Sequence, residues 1–266
     1  MLWRTSSEPM TPVNSPLRIS CAILDVEVTP TTLSGLVQTV SATLRNRERL
    51  IIVGHNLHSA FLYHTDDGFR SFYDLADTVL CDGAPVLWDA QFTLRHSKKR
   101  LQRIERIGST DWIPSICGLA ELSTICVVGA SRTSNERFVS WCEHQNPRAT
   151  IIGIPGDPWD ERQAESAREK VSRSRPQLIL IGLGMPLQEQ FARSLTELPT
   201  PAVIATVGGA IDQLSEVQKN APRGIGKYGL EWVWRLSTQP KRLWRRYLIE
   251  PWQLLVLRFY KWSSGK

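Results

Sequence analysis

The sequence predicts an α/β fold: a Rossmann-like, mostly parallel sheet with helices on both faces, plus a basic, Trp-rich helical appendage at the C-terminal end. Two observations predict the sheet. Short apolar runs bounded by Gly, Asp or Asn recur along the chain, and amphipathic segments of helical length, such as ERQAESAREKVSRS, lie between them. Alternation of this kind is typical of parallel sheets whose crossover helices cover both faces.

Six apolar runs are the candidate strands of this sheet. They lie at residues 49–56, 77–83, 124–131, 150–156, 177–184 and 202–209. In open parallel sheets, ligands bind beyond the carboxyl ends of the strands. We therefore expect the functional residues to follow these runs directly.

The chain divides into three predicted parts. Residues 1–20 are rich in Ser, Thr and Pro without periodicity, which predicts a flexible leader. Residues 21–222 hold the apolar runs and form the predicted α/β domain, which would contain any catalytic site. With 266 residues, 42% of them hydrophobic, the chain is long enough for one large core rather than two equal domains.

Residues 223–266 form the predicted appendage and carry the basic charge. They hold ten Lys/Arg against two Asp/Glu, a net charge of +8, whereas residues 1–222 have a net charge of −2. Five of the ten Trp residues lie there as well. Mixed Trp and Arg suit the headgroup level of a membrane, but RNA-binding surfaces share this composition, so charge alone leaves both partners open.

Several classes of protein are disfavoured. No stretch approaches the roughly 18 to 20 apolar residues that span a bilayer, and the N-terminus lacks an apolar signal core, so we expect a cytoplasmic protein. The five cysteines show no CxxC spacing, which favours reduced, buried thiols over a disulfide or zinc site. His55 and His58 lack an obvious third ligand, so structural roles are favoured over a metal site.

Two polar residues follow the first two candidate strands. Asn56 comes just after the predicted strand at 50–53 and either caps the next helix or belongs to a pocket. Asp82 precedes Gly83 in a tight turn, where it is either an ordinary turn residue or a general base that removes a proton from a sugar hydroxyl.

The segment GLGMPLQE, residues 182–189, follows another strand. Gly182 and Gly184 allow the backbone to approach a phosphate closely. The segment fails as a dinucleotide fingerprint because Leu187 stands where the third Gly belongs, but a nucleotide-cofactor oxidoreductase remains an alternative function. Gln188 and Glu189 either contact the nucleotide or face solvent.

The segment TVGGAID, residues 206–212, likewise joins a strand end to glycines and a carboxylate. The N–H groups of Gly208 and Gly209 are candidates for lining a pocket, and Asp212 either accepts a bond from a sugar hydroxyl or begins a helix. No Asp-x-Asp sequence occurs, so if a diphosphate leaves here, arginines and helix dipoles rather than a metal ion must neutralise it. The candidate arginines are Arg235, Arg242 and Arg245. They are seven and three residues apart, so they share one helical face if the helix is unbroken.

Taken in order, these segments resemble the WecG/TagA/CpsF family of glycosyltransferases, glycosyltransferase family 26. The resemblance runs from about residue 21 to about residue 250. It rests on Asn56 and on the segments ADTVLCDG, RIGSTD, GLGMPLQE, TVGGAID, KNAPRGIGKYGLEWVWRL and QPKRLWRRYL.

The resemblance implies inverting, metal-independent and cofactor-independent transfer of a hexose from a UDP-sugar to an undecaprenyl-diphosphate-linked sugar in bacterial cell-surface polysaccharide synthesis. N-acetylmannosamine, its uronic acid and glucose are the implied donor sugars. Asp82 is the implied base. The residues implied in substrate or nucleotide binding are Asn56, Gly184, Gln188, Glu189, Gly208, Gly209, Asp212, Arg235, Arg242 and Arg245.

The resemblance also implies a place for the appendage. The appendage contacts an anionic membrane at the cytoplasmic face of the inner membrane and closes over the diphosphate, while homo-oligomers hold it away from the site. The resemblance implies no nucleic acid partner. A basic RNA- or membrane-binding protein without enzymatic activity is the second alternative function. Three positions depart from the family pattern: Gly54 replaces a Thr, Leu187 a Lys and Asn220 an Arg.

Overall fold

The computed structural model describes residues 17–97, 103–199, 201–217, 231–238 and 240–263. Its strands are Ile19–Cys21 (β1), Val26–Val28 (β2), Leu50–His55 (β3), Thr78–Cys81 (β4), Thr124–Gly129 (β5), Thr150–Ile154 (β6), Leu178–Gly182 (β7) and Val203–Thr206 (β8). The helices that accompany them are Leu33–Asn46 (α1), Leu57–Thr65 (α2), Asp67–Leu75 (α3), Ala84–Arg95 (α4), Ser109–Cys117 (α5), Arg132–Gln145 (α6), Glu161–Ser174 (α7), Leu187–Thr196 (α8) and Ala210–Leu214 (α9). The C-terminal part contains Glu231–Thr238 (α10), Pro240–Trp244 (α11), a π-helical turn at Arg245–Ile249, and Glu250–Ser263 (α12).

The six apolar runs form one sheet in the order β4-β3-β8-β7-β5-β6, and every neighbouring pair is parallel. Helices cover both of its faces. Along β3, Ile51 and Val53 enter the core cluster on one face, whereas Leu50 and Ile52 enter the cluster on the other. Burial on both faces explains why the strands read as continuous apolar runs. The predicted fold class is confirmed.

A small antiparallel hairpin, β1 and β2, was not predicted. Ile19 pairs with Val28, so the fold begins inside the segment predicted as a leader, whose residues 1–16 lie outside the described residues. The carboxylate of Asp89 on α4 accepts hydrogen bonds from the N–H groups of Ile23 and Leu24, at 3.0 and 2.7 Å from Oδ2. Strands of three residues are too short to show alternation, so the sequence carried no signal for them.

The C-terminal part is helical where it is described, as predicted, while the expected boundary at residues 222 and 223 lies outside the described residues. Helix α12 packs against α2, and Leu254 is buried in the core cluster beneath it. Near its far end, Arg258 Nη1 lies 2.6 Å from Asp25 Oδ2 in the hairpin loop. Among the described helices, none combines the length and the apolar character that crossing a membrane requires.

Glycines bring the carboxyl ends of three strands into close contact. A Cβ at Gly129, where φ is +111°, would lie 2.4 Å from the carbonyl oxygen of Gly182. A Cβ at Gly182 would in turn lie 2.7 Å from the carbonyl oxygen of Gly208. The turns after β5, β7 and β8 therefore meet only because these positions lack side chains.

Gly129→Ala should destabilise the fold by about 3 kcal/mol, because the new methyl group strains the backbone and displaces the neighbouring strand end. Thermal unfolding should then occur about 6 to 12 °C lower than in the wild type. Gly209→Ala is the matched control, because that position has φ of −78° and open space around a Cβ. Equal melting temperatures for the two variants would contradict the close-contact argument.

Candidate active site

The sheet order gathers four strand ends at one edge. Strands β4, β3, β8 and β7 are consecutive neighbours, so the turns that follow them meet. Asp82 follows β4, Asn56 follows β3, Gly208 follows β8 and Gly184 follows β7. Four of the sequence-predicted segments therefore lie together, as expected for a parallel sheet.

Asn56 connects two parts of this edge. Its Oδ1 caps α2 by accepting hydrogen bonds from the N–H groups of His58 and Ser59, at 3.0 and 3.2 Å. Its Nδ2 donates to Asp82 Oδ2 at 3.0 Å. The two interpretations of Asn56 are thus compatible, because one oxygen caps the helix while the amide nitrogen orients the carboxylate.

Glycines surround the Asp82 carboxylate closely. A Cβ at Gly54 would lie 3.2 Å from the Cβ of Asp82, and a Cβ at Gly108 would lie 3.1 Å from its Oδ1. The departure at Gly54 is therefore adjacent to Asp82 itself. Gly54 leaves space where a larger residue would press on this side chain.

The segment 106–111 borders the same carboxylate, although the sequence analysis gave its residues no role. Ile107 donates to the carbonyl of Cys81 at 2.9 Å, which holds the segment beside the end of β4. Arg106 Nη2 lies 3.9 Å from Asp111 Oδ2, and Arg106 Nη1 lies 3.8 Å from the position of a Cβ at Gly108. A guanidinium group and the Asp82 carboxylate thus border the same small space. The only sign of this segment in the sequence was the similarity of RIGSTD to the family pattern.

The Gly-rich turns leave open space at this edge. A Cβ at Gly184, Gly208 or Gly209 would meet nothing within 4 Å among the described residues. Gly184 and Gly208 have φ of +82° and +54°, a conformation that favours glycine. Asp212 lies half-buried in the first turn of α9, so both of its interpretations remain.

Gln188 and Glu189 do not face solvent, so that alternative is wrong. Both are 1% exposed. Gln188 Oε1 accepts from the N–H of Gly208 at 3.0 Å, and its Nε2 donates to Glu189 Oε1 at 2.8 Å. Gln188 therefore supports the Gly208 turn from behind. Direct contact of either side chain with a nucleotide stays a prediction.

Glu189 is a buried carboxyl group with a perturbed pKa. Burial raises its pKa to about 8, against the opposing hydrogen bond from Gln188 and the positive charge of Arg246. Its Oε2 has no hydrogen-bond partner among the described residues. Glu189 and Asp82 both add to the effect of burial in raising the pKa of Tyr73, so the three groups share one environment. Such groups concentrate at functional sites.

The C-terminal part reaches this environment through residues that the sequence analysis did not select. Glu250 Oε2 lies 2.5 Å from Nδ1 of His58 on α2. Burial and the charge of Arg246 lower the pKa of His58, while Glu250 opposes them. Arg246 thus acts on both His58 and Glu189, whereas the predicted Arg245 beside it is exposed.

Three further residues singled out in the sequence, Arg235, Arg242 and Asn220, have no described side chain. Arg235 belongs to α10, which ends at Thr238, and Arg242 belongs to α11, which starts at Pro240. Helical spacing in the sequence does not indicate which way Arg246 points, because a π-helical turn begins at Arg245 and shifts the helical face.

The two histidines have separate structural contacts. His55 is buried against Tyr73, with ring centroids 4.5 Å apart, and its Nδ1 lies 3.0 Å from Ser59 Oγ. Burial lowers its pKa to about 3. In the part of the chain that the structure describes, no three His, Cys, Asp or Glu side chains form a potential metal site. All five cysteines are free and buried, as predicted.

Comparisons with known proteins agree on one class. The model of the glycosyl transferase WecG/TagA/CpsF family matches residues 21–266. The chain is 29% identical over 195 residues to the N-acetylglucosaminyldiphosphoundecaprenol N-acetyl-beta-D-mannosaminyltransferase of Bacillus subtilis, covering 71% of this chain and 73% of the relative. It is 28% identical over 217 residues to the protein of the same name from Bacillus spizizenii, covering 81% of each chain.

These matches decide between the functional alternatives. Both relatives are transferases by name, and the family match extends over the α/β domain and the C-terminal helices together. The oxidoreductase and the non-enzymatic binding protein are therefore replaced by a single assignment. The chain is a glycosyltransferase and belongs to the WecG/TagA/CpsF family.

Proposed function

We propose that this enzyme transfers N-acetylmannosamine from its UDP derivative to N-acetylglucosamine linked to undecaprenyl diphosphate, with inversion at the anomeric carbon. The acceptor and the sugar follow the names of the two bacillary relatives. The single observation that carries the chemistry is the Asp82 carboxylate, held by Asn56 at the open edge of the sheet. The product would enter bacterial cell-surface polysaccharide synthesis.

In the proposed reaction, Asp82 accepts the proton of the acceptor hydroxyl while that oxygen attacks the anomeric carbon. The bond between this carbon and the UDP oxygen breaks, and the electron pair leaves with UDP. Because Asn56 donates to Oδ2, Oδ1 is the oxygen left for the proton. Holding the base in place before substrate binds lowers the entropic cost of the step.

The leaving diphosphate carries negative charge that must be stabilised. We assign this task to the N–H group of Gly209, to Arg235, Arg242 and Arg245, and to Arg246, without a metal ion or other cofactor, while Gly208, whose N–H donates to Gln188, shapes the turn. Support comes from the open space around both glycines and from the charge of Arg246 acting on the buried site groups. Oriented donors and guanidinium groups stabilise phosphates effectively in a site that excludes water.

The donor sugar depends on residues that differ from the family pattern. Gly54 leaves space beside Asp82, and Leu187, 37% exposed, places an apolar side chain at the start of α8. Leu187 supplies no positive charge at the position where the family commonly has Lys. The uronic acid and glucose therefore remain the competing donor sugars.

The enzyme would work at the cytoplasmic face of the inner membrane, where its acceptor is anchored. Support comes from the net charge of +8 on residues 223–266, which attracts anionic lipid headgroups. Homo-oligomers would hold the C-terminal helices away from the site. Nucleic acid is not among the proposed partners.

Glu189 would act as a neutral acid at neutral pH, because its pKa of about 8 lies above the working pH. A protonated carboxyl group can accept from Gln188 with one oxygen and donate with the other. It would thereby keep negative charge away from the diphosphate while it holds the Gln188 side chain that supports Gly208. Glu189 is thus a positioning residue in this scheme.

Asp82→Asn should reduce turnover about 100-fold or more, because an amide cannot accept the proton. Folding should be unaffected, as circular dichroism and thermal melting would check. The matched control is Asp67→Asn, at a carboxylate whose side chain is 99% exposed. Near-normal turnover of Asp82→Asn would remove Asp82 from the role of base.

A donor panel tests the substrate assignment. UDP-N-acetylmannosamine, its uronic acid form, UDP-N-acetylglucosamine and UDP-glucose would each be mixed with a short-chain polyprenyl-diphosphate N-acetylglucosamine, and UDP release measured. We expect the first donor to be fastest and its rate to change by less than about twofold with EDTA, since arginines rather than a metal neutralise the diphosphate. Loss of activity with EDTA and its recovery with Mg²⁺ or Mn²⁺ would overturn metal independence.

Glu189→Gln should change how stability depends on pH. The pKa of Glu189 is higher in the folded protein than in the unfolded chain, so its contribution is fully present below about pH 4.5 and is lost as pH rises to about 8. The variant lacks this titration. The free energy of unfolding of the variant, relative to that of the wild type, should therefore rise by a few kcal/mol between about pH 4.5 and pH 8 and stay constant above that, as denaturant unfolding would measure. Glu197→Gln, at a 72% exposed side chain, should follow the wild type; parallel curves for all three proteins would contradict a neutral Glu189.

A further inference from the structure

Helix α12 presents a largely apolar side to solvent. Glu250, Leu254 and Arg258 face the body, through the contacts with His58, the core and Asp25. The opposite side, here called the tail apolar face, consists of Trp252, Leu255, Val256, Phe259 and Tyr260, with exposures between 48 and 71%. Surface helices normally expose polar side chains, so an exposed apolar face of this size is a candidate contact surface.

The α/β body carries a second group of exposed hydrophobic residues. Ile23, Trp88 and Phe92 are 54, 61 and 53% exposed, and we call them the body patch. Trp88 and Phe92 are four residues apart and therefore share one side of α4. The opposite side of α4 is buried through Val86 and Ala90.

Polar contacts connect the body patch to α12. Arg258 Nε donates to the carbonyl oxygen of Ile23 at 3.1 Å, and its Nη1 donates to Asp25. From the other direction, Asp89 on α4 accepts from the N–H group of Ile23. The hairpin loop thus lies between α12 and α4 and contacts both, so the tail apolar face and the body patch belong to adjoining elements of one surface.

The charges of this surface suit an anionic partner. Asp89 is the only acidic residue of α4; it is buried and bonded to backbone N–H groups. Asp25 is paired with Arg258. Arg95, exposed one turn beyond Phe92, adds a positive charge. Aromatic side chains flanked by Arg are typical of proteins that lie at the headgroup level of a bilayer.

The surface also has a useful position relative to the site. Glu250 contacts His58, two residues after Asn56, whereas Arg258 contacts the hairpin loop, and the eight helical steps from one to the other span about 12 Å. The tail apolar face therefore extends from the site towards the body patch. A membrane against this surface would bring the headgroup of a lipid-linked sugar to the carboxyl edge of the sheet.

We propose that the tail apolar face and the body patch form one continuous membrane-contact surface, so that α4 and the β1–β2 hairpin, and not only the C-terminal helices, dock on an anionic bilayer. The proposal rests on the proposed function for its lipid-linked acceptor. It fixes the orientation of the α/β body on the membrane, which a contact through the C-terminal helices alone would leave free.

The first test places an environment-sensitive dye on the body patch through Phe92→Cys. Labelling is selective because all five native thiols are buried, and burial raises the pKa of Cys81 and of Cys126 to about 12. Vesicles of phosphatidylcholine with about one third phosphatidylglycerol should shift the emission to the blue and increase it several-fold. Phe259→Cys on the tail apolar face is the positive control, and Val217→Cys, at a 44% exposed site after α9, should not respond. A response at position 259 without one at position 92 would overturn the proposal.

The second test removes the body patch in the full-length protein with Trp88→Ser/Phe92→Ser. Half-maximal binding in vesicle co-sedimentation should require about tenfold more lipid, because two large aromatic side chains lose their interfacial contact. Leu75→Ser/Val217→Ser removes two hydrophobic residues that are 52 and 44% exposed elsewhere and should bind as the wild type does. Transfer to a short, water-soluble acceptor should be unchanged in both variants.

The outcomes of this test are distinguishable. Vesicle binding is measured without substrates, so a failure of sugar transfer with every donor would refute the proposed function without affecting the binding result. If Trp88→Ser/Phe92→Ser bound vesicles as tightly as the wild type, the proposed membrane-contact surface would be refuted. If that result were accompanied by a lower molar mass in light scattering, the surface would be a contact between copies of the chain instead.

Discussion

The side chain of Asn56 connects the parts of this enzyme on which the proposed chemistry depends. Its oxygen caps α2, and its nitrogen holds the Asp82 carboxylate. Helix α2 in turn carries His58, which contacts Glu250 at the start of α12. One amide thus sets the position of the proposed base and the position of the helix that receives the C-terminal part. Because its donor and acceptor are both used, neither position can shift without loss of a hydrogen bond in a half-buried region.

The electrostatics of the site follow from the amount of polar surface buried behind it. Gln188, Glu189 and Tyr73 lie beneath the strand ends, where burial rather than an opposing charge has the largest effect on the pKa of Glu189 and of Tyr73. A neutral layer of this kind leaves the charge at the edge of the sheet to side chains such as Asp82, Asp111 and the arginines. Charges in such surroundings interact more strongly than in water, which suits a reaction that ends with a charged leaving group.

The sequence was informative where a residue's role depends on its neighbours in the chain. Apolar runs predicted the sheet because its strands are buried on both faces, and Asn56 and Asp82 could be selected because they follow such runs directly. The sequence was uninformative where the role depends on distant contacts. The burial of Glu189 beneath the Gly208 turn and the pairing of Glu250 with His58 join segments far apart in the chain. The action of Arg246 on His58 and Glu189 could not be predicted, because helical periodicity fails at a π-helical turn.

The contacts of α12 also bear on how the chain assembles during synthesis. Asp25 and His58 precede Arg258 and Glu250 by 233 and 192 residues, so the whole α/β body emerges from the ribosome before the helix that docks on it. The helix therefore meets a docking site that is already folded. Its apolar outer side therefore reaches water only after the α/β body has been synthesised.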